Sequence, residues 1–220
     1  MLVIPEFLSR DEVAECNRLM DTAPYDDGRV TAAGQAARVK DNRQVSRSWP
    51  GITALDAIVE QAIRRSRPLI EAVSPCAHSQ PLYVRYEPGA AYGAHVDAVL
   101  SGVPPIRQDV SVTVFLTPPD AYEGGALCLH GPGGERRSVR EGAGVAFIYP
   151  TGIVHEVMPV EKGERRAVVL WLQSYFRDAD IRDVVAELRR CVETVRRTPG
   201  GDPLPLVKVL NTLERRFIAT

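Results

Sequence analysis

The chain is predicted to be mainly β with flanking helices, an α+β protein built on a jelly-roll type of antiparallel core. Three observations lead there. Between about residues 81 and 176, short extended runs are separated by glycine turns at Gly89, Gly124-Gly125, Gly133-Gly134 and Gly142-Ala-Gly144. Within that region Val110, Val112, Val114 and Leu116 alternate with Ser111, Thr113 and Phe115, the period-2 pattern of a strand. On either side of it the apolar residues recur at helical spacing instead.

Taken in order, Ser9 and Glu12 read as a capping box: the hydroxyl covers a free backbone N–H and the carboxylate reaches back to the cap. Val13, Cys16, Leu19 and Met20 then place a helix up to about Ala23. Residues 26–50, rich in Gly, Arg, Asn and Ser, have no period and read as a mobile loop or a segment folded over a site. Leu55, Ile58, Val59, Ala62 and Ile63 give the next helix one apolar face, and Pro68 is expected to kink or end it. Strands follow at 81–86, 110–116, 126–130, 137–139, 145–149 and 165–176. Asp178 is a favourable N-cap for a helix with Ile181, Val184, Val185, Leu188, Val192 and Val195 on one stripe. After the break at 198–203, Leu206, Val209, Leu210, Leu213 and Phe217 mark a last helix. This organisation suggests one catalytic-sized domain over 1–177, with N-terminal helices over 1–80 and a β core over 81–177, and a helical extension over 178–220.

A chain of 220 residues buries a sizeable core. Its net charge of −1 gives no electrostatic reason to expect nucleic acid or an anionic membrane as a partner. The start carries no basic region followed by an apolar run, and no stretch approaches the roughly 20 apolar residues of a spanning helix, so the cytoplasm is the expected compartment. The four cysteines lie far apart, without zinc-ligand spacing. The helical ends offer surfaces on which a homo-oligomer could form.

The chemistry concentrates in His95-Val-Asp97, with His155 far downstream and Arg165 ten positions beyond that. Residues i and i+2 of an extended segment point to the same side, so His95 and Asp97 can reach one ion while Val96 turns away. Two imidazoles and one carboxylate suit a ferrous ion that keeps open positions. An arginine on the same wall offers a fork for the carboxylate of a cosubstrate. Parity selects it: Arg165 shares a strand face with Ala167, Val169 and Trp171, whereas Arg166 lies with Val168, Leu170 and Leu172. His78 and His130, lacking partners at ligand spacing, read as ordinary hydrogen-bonded histidines.

The run Tyr86-Glu-Pro-Gly-Ala-Ala-Tyr92-Gly-Ala-His95-Val-Asp97 resembles the first metal motif of the prolyl-4-hydroxylase-like Fe(II)/2-oxoglutarate dioxygenases. His155-Glu-Val-Met-Pro-Val-Glu-Lys-Gly-Glu-Arg165 resembles the second. Over nearly its full length the chain is similar to the PKHD-type (PiuC-like) hydroxylases. That resemblance implies a double-stranded β-helix core, Fe(II) on His95, Asp97 and His155, and 2-oxoglutarate with its far carboxylate on Arg165. It further implies Tyr86 and Tyr92 beside the cosubstrate, Trp171 in the pocket wall, O2 as oxidant and L-ascorbate as reductant. Arg166 departs from the family pattern, which has an apolar residue there. Residues 38–44 resemble a family segment too, and read either as covering the site or meeting substrate, or as a solvated loop.

The expected activity is hydroxylation of a small molecule or peptide, with decarboxylation of 2-oxoglutarate to succinate and CO2. Two other classes use similar ligands. A zinc hydrolase on a similar scaffold would need a glutamate base, and Glu156 should point the wrong way along its strand. A non-catalytic iron or 2-oxoglutarate sensor would share the same ligands without turnover.

Overall fold

The computed structural model describes residues 1–219. Two antiparallel sheets face each other. The larger has eight strands, running Leu2–Ile4, Ala146–Pro150, Val110–Phe115, Arg165–Ser174, Leu82–Tyr86, Arg43–Val45 and Tyr25–Asp27, with Pro75–His78 paired to the far half of Arg165–Ser174. The smaller has five: Arg136–Val139, Leu127–His130, His155–Val157, Ala91–His95 and Lys40–Asp41. Two apolar layers result. All six residues of Val110–Phe115 are buried, because one face of the larger sheet meets helices and the other meets the smaller sheet.

The outer layer packs α1 (Arg10–Thr22), α3 (Ile52–Arg65) and α4 (Arg67–Val73) on the larger sheet; α2 (Gly34–Arg38) belongs to the segment over the site. Cys16, Met20, Leu55, Val59 and Leu69 meet Tyr83, Val112, Val114 and Leu170 there. α1 starts with the expected capping box, Glu12 N–H donating to Ser9 Oγ at 3.2 Å and Ser9 N–H to Glu12 Oε2 at 2.8 Å. The inner layer joins Val84, Phe115, Phe147 and Ala167 of the larger sheet to Leu127, Leu129 and Val157 of the smaller. This is the jelly-roll core, and the polar site lies within it.

At the C-terminal end, Asp178 caps α5 (Ala179–Arg197) by accepting from the N–H groups of Asp180 and Ile181. α6 (Leu204–Phe217) packs on α5 and buries none of its residues. Arg189 ties this pair to the body, reaching Ser74 Oγ at 2.7 Å and Glu214 Oε1 at 2.7 Å. Among the described residues no helix is long and apolar enough to cross a membrane.

Two details differ from the sequence expectation. Pro68 does not end the second helix: the chain breaks at Ser66, and Pro68 sits in the first turn of α4, where its missing N–H costs nothing. The first 80 residues are also not only helical. Leu2–Ile4, Tyr25–Asp27, Arg43–Val45 and Pro75–His78 extend the larger sheet, and Lys40–Asp41 extends the smaller. These strands have two to four residues each, too short for a period to show.

Candidate active site

Residues 28–44 fold over the open end of the two sheets rather than hanging free. Asp27 starts a 3-10 turn, Gly28–Thr31, by accepting from Arg29 N–H at 2.9 Å, and α2 follows. Within a few residues the chain then pairs Lys40–Asp41 with Ala91–His95 of the smaller sheet and Arg43–Val45 with Leu82–Tyr86 of the larger. Gly28 makes this close approach achievable: a Cβ there would stand 1.7 Å from Asn42 Oδ1. The cavity beneath has a volume of about 550 Å³.

His95, Asp97 and His155 converge in it. One potential ligand atom from each lies within 4.8 Å of the others. His95 ends the strand Ala91–His95 and stands directly across from His155, which opens the neighbouring strand. Their ring centroids are 4.3 Å apart, and each Nε2 is 3.6 Å from an Asp97 oxygen. Each Nδ1 faces a carbonyl two residues earlier, His95 at 2.8 Å from Gly93 O and His155 at 2.9 Å from Ile153 O. A carbonyl can only accept, so both Nδ1 atoms carry the proton and both Nε2 lone pairs face the same point.

Asp97 is oriented in the same way. Its Oδ2 accepts from Trp171 Nε1–H at 2.8 Å and from the Ser111 hydroxyl at 3.0 Å, with Thr151 Oγ1 a further 3.1 Å from Ser111. Oδ1 is left for an ion. Burial pushes the Asp97 carboxyl up, but His95, His155 and the Trp171 N–H together hold it below the ordinary carboxylate range. Burial draws His155 below the usual imidazole value, against the pull of Asp97. Anionic carboxylate and neutral imidazole are the forms that ligate a divalent metal.

A β-bulge sets the aromatic surroundings. From His155 to Val157 the partner strand runs from His95 to Tyr92, one residue more than a regular ladder allows. Tyr92 and His95, which a regular strand would place on opposite faces, therefore share the cavity, with rings stacked 3.6 Å apart. Tyr149 meets His155 edge-on at 5.2 Å.

Arg165 enters from the larger sheet, directly across from Tyr86. It is 1% exposed, the largest fully buried side chain of the protein. Its guanidinium lies 5.2 Å from the Tyr86 ring centroid and 5.5 Å from that of Phe115. Gly125 makes room, since a Cβ there would be 3.2 Å from Arg165 Cδ. Nε has no hydrogen-bond partner, and among the described residues no carboxylate lies within ion-pair distance of the group. Arg166 points the other way, to the helix layer, where it pairs with Asp21 at 2.7 Å and with Glu164.

Glu156 turns outward, accepting from Arg136 at 2.9 Å and lying 3.0 Å from His130 Nε2. It is unavailable as a base toward the triad. His78 Nδ1 lies 2.9 Å from the Ser79 carbonyl. The triad, Arg165, Tyr86, Tyr92 and Trp171 all line one cavity. Sequence reasoning missed Ser111, Thr151 and Tyr149, and it left residues 38–44 without individual roles. Ser111 and Thr113 did carry a signal: they are hydroxyl residues on the inward face of a strand whose other face is all valine.

Residues 81–173 match the family described as the 2OG-Fe(II) oxygenase superfamily. A PKHD-type hydroxylase of Paracoccus denitrificans (strain Pd 1222) is 39% identical, over 92% of this chain and 91% of its own length. A PKHD-type hydroxylase of Burkholderia thailandensis is 35% identical, over 99% of this chain and 98% of its own. Among solved structures, a Trichoplax adhaerens prolyl hydroxylase, in complex with a hypoxia inducible factor oxygen degradation domain peptide fragment, superposes with a TM-score of 0.57. It is 18% identical, covering 79% of this chain and 83% of that one, a likeness of fold.

Proposed function

Because the chain belongs to the PKHD-type hydroxylases of the 2OG-Fe(II) oxygenase superfamily, and so is a non-haem iron, 2-oxoglutarate-dependent dioxygenase, we propose that His95, Asp97 and His155 are its ferrous ligands and that Arg165, Tyr86 and Tyr92 hold the cosubstrate. The donor set fits the ion: two imidazole nitrogens and one carboxylate oxygen, one ligand atom of each within 4.8 Å of the others, in a cavity with room for further ligands. When bound, iron with 2-oxoglutarate and O2 supplies the oxidising power for hydroxylation, with succinate and CO2 formed from the cosubstrate.

The protein's own residues do the positioning. Gly93 and Ile153 carbonyls fix both imidazole tautomers. Trp171 and Ser111 occupy Asp97 Oδ2, so the carboxylate presents one oxygen rather than two. Arg165 holds the far carboxylate of 2-oxoglutarate through its fork, with Tyr86 alongside. Tyr92, stacked on His95, keeps that ring in plane and forms a wall of the cosubstrate pocket. Leu127, Val84 and Val169 line the cavity with apolar surface that excludes bulk water. The prime substrate, a small molecule or a peptide, meets this site beneath residues 28–44.

The observation that carries the assignment is Arg165: a fully buried cation without a carboxylate partner, in the same cavity as the triad. A buried charge left unpaired is costly, so the site is built for an anion that arrives with the reaction. The test is anaerobic titration of Fe(II) and 2-oxoglutarate into the protein, followed by admission of O2. A weak visible charge-transfer band and then succinate are expected. Iron-loaded, folded protein that gives neither would refute the assignment.

A further inference from the structure

The cavity contains a second buried cation that the cosubstrate assignment does not use. Lys40 is 5% exposed and lines the same space as the triad and Arg165. It comes from the smaller sheet, whereas Arg165 comes from the larger. It lies in register with Tyr92, its Nζ 5.1 Å from the centroid of that ring. Nζ donates to Thr31 Oγ1 at 2.9 Å, and among the described residues no carboxylate lies within ion-pair distance of it. Thr31 Oγ1 is in turn 2.9 Å from Gln44 Oε1, while the buried Nε2 of Gln44 has no hydrogen-bond partner among the described residues. One wall of the cavity therefore presents an ammonium that donates to a hydroxyl and faces a ring, together with an amide N–H that has no acceptor among the described residues. Burial draws the amine down to about 8, against the pull of Asp97 and Asp27.

Formal charges decide what that wall is for. With cosubstrate in place, the ferrous ion, Asp97, the two carboxylates of 2-oxoglutarate and Arg165 sum to zero. Lys40 then remains as a positive charge with no carboxylate within ion-pair distance among the described residues, Asp27 acting on it only from farther away. On that reading the dicarboxylate would not supply that carboxylate, because Arg165 would hold one of its ends and the metal the other. The cavity, at about 550 Å³, lies in the range that takes a further small molecule beside it.

Resting on the iron and 2-oxoglutarate reading above, we infer that Lys40, with Gln44 beside it, binds a carboxylate of the prime substrate, so that the molecule hydroxylated is an acid. The carboxylate is that of a free small acid or of a peptide terminus, and the chemistry of recognition is the same for both. Lys40 is on this account a substrate-binding residue that sets specificity.

The probes are N-acetylated amino acids and N-acetylated tetrapeptides, each compared as free acid and as C-terminal amide. They are titrated anaerobically into protein holding Fe(II) and saturating 2-oxoglutarate, and binding is read from the perturbation of the visible band. At least one acid should bind about tenfold or more tightly than its own amide, the scale expected when one partner of a buried charge pair is removed. K40Q should reduce that preference to less than about twofold, and K40R should keep it, as a charge-specific role requires. Preference confined to the amino acids identifies a small acid; preference among the tetrapeptides identifies a peptide terminus. The inference is overturned if no acid is preferred, if K40Q keeps the preference, or if K40Q weakens 2-oxoglutarate as much as it weakens the acid. Absence of the band in wild-type protein would instead remove the iron and cosubstrate reading, and this inference with it.

Discussion

The indole N–H of Trp171 donates to Asp97 Oδ2 at 2.8 Å, linking a core strand of the larger sheet to the carboxylate that follows the last strand residue of the smaller. This bond fixes which Asp97 oxygen faces the site. It also converts a residue that reads as wall packing into one that orients a ligand.

Trp171→Phe keeps an aromatic ring in the wall and removes that donor. Partners of this kind are worth about tenfold to a hundredfold in metal affinity. Anaerobic Fe(II) titration should show a loss of about tenfold, while the thermal midpoint of the metal-free protein changes little. An unchanged Fe(II) affinity would mean that Ser111 alone orients the carboxylate.

The two adjacent arginines should separate cleanly. Arg165→Met removes a buried cation without a protein partner, so the metal-free fold should be as stable as wild type or more so. Its 2-oxoglutarate affinity should nevertheless fall about thirtyfold or more, the result of losing a buried charge-assisted pair at about 2–5 kcal/mol. Arg166→Gln should leave the affinity within about twofold and lower stability by about 1 kcal/mol through its lost pair with Asp21 and Glu164. Differential scanning with and without 2-oxoglutarate and Fe(II) reads both effects at once.

Glu12 gives a pH-dependent test remote from the site. It is part of the capping box of α1 and also pairs with Arg65 at 2.7 Å. Partial burial raises its pKa, but Arg65 and the Ser9 N–H outweigh this and hold it below the ordinary carboxylate range. A carboxyl depressed by folding contributes stability that is complete above its unfolded pKa and is lost as pH falls through the folded value. Glu12→Gln should therefore cost about 1 kcal/mol at neutral pH, and its unfolding curve should converge with wild type in acid. A constant difference across the acid limb would assign the effect to packing instead.

Much of this was legible in the primary structure, for identifiable reasons. Strand parity placed Arg165 inward and Arg166 outward, because both sit on one long uninterrupted strand where period 2 holds. The H-x-D spacing also anticipated that His95 and Asp97 meet at one point, although Asp97 lies just beyond the end of the strand Ala91–His95. The shared cavity of Tyr92 and His95 was not readable from spacing, since it depends on a bulge that breaks the period, and only family resemblance indicated it. Residues 28–44 showed no period because their order comes from pairing with distant strands, in pieces of two or three residues. The oxygens and hydroxyls that orient Asp97 meet across separations of 14 and 40 residues, distances that no local pattern reports.

The covering segment crosses from one sheet to the other between Lys40 and Val45, stitching the two lips of the vessel on that side. Such a suture keeps its span constant: the rim there can neither gape for a bulky guest nor narrow around a thin one. A second stretch of the cavity wall comes from Leu100, Ser101 and Gly102, in a short hairpin of Leu100–Ser101 with Ile106–Arg107 that pairs with neither sheet. Retargeting this enzyme toward larger molecules would accordingly begin with that hairpin, while the sutured side serves as a fixed ruler against which each guest is measured.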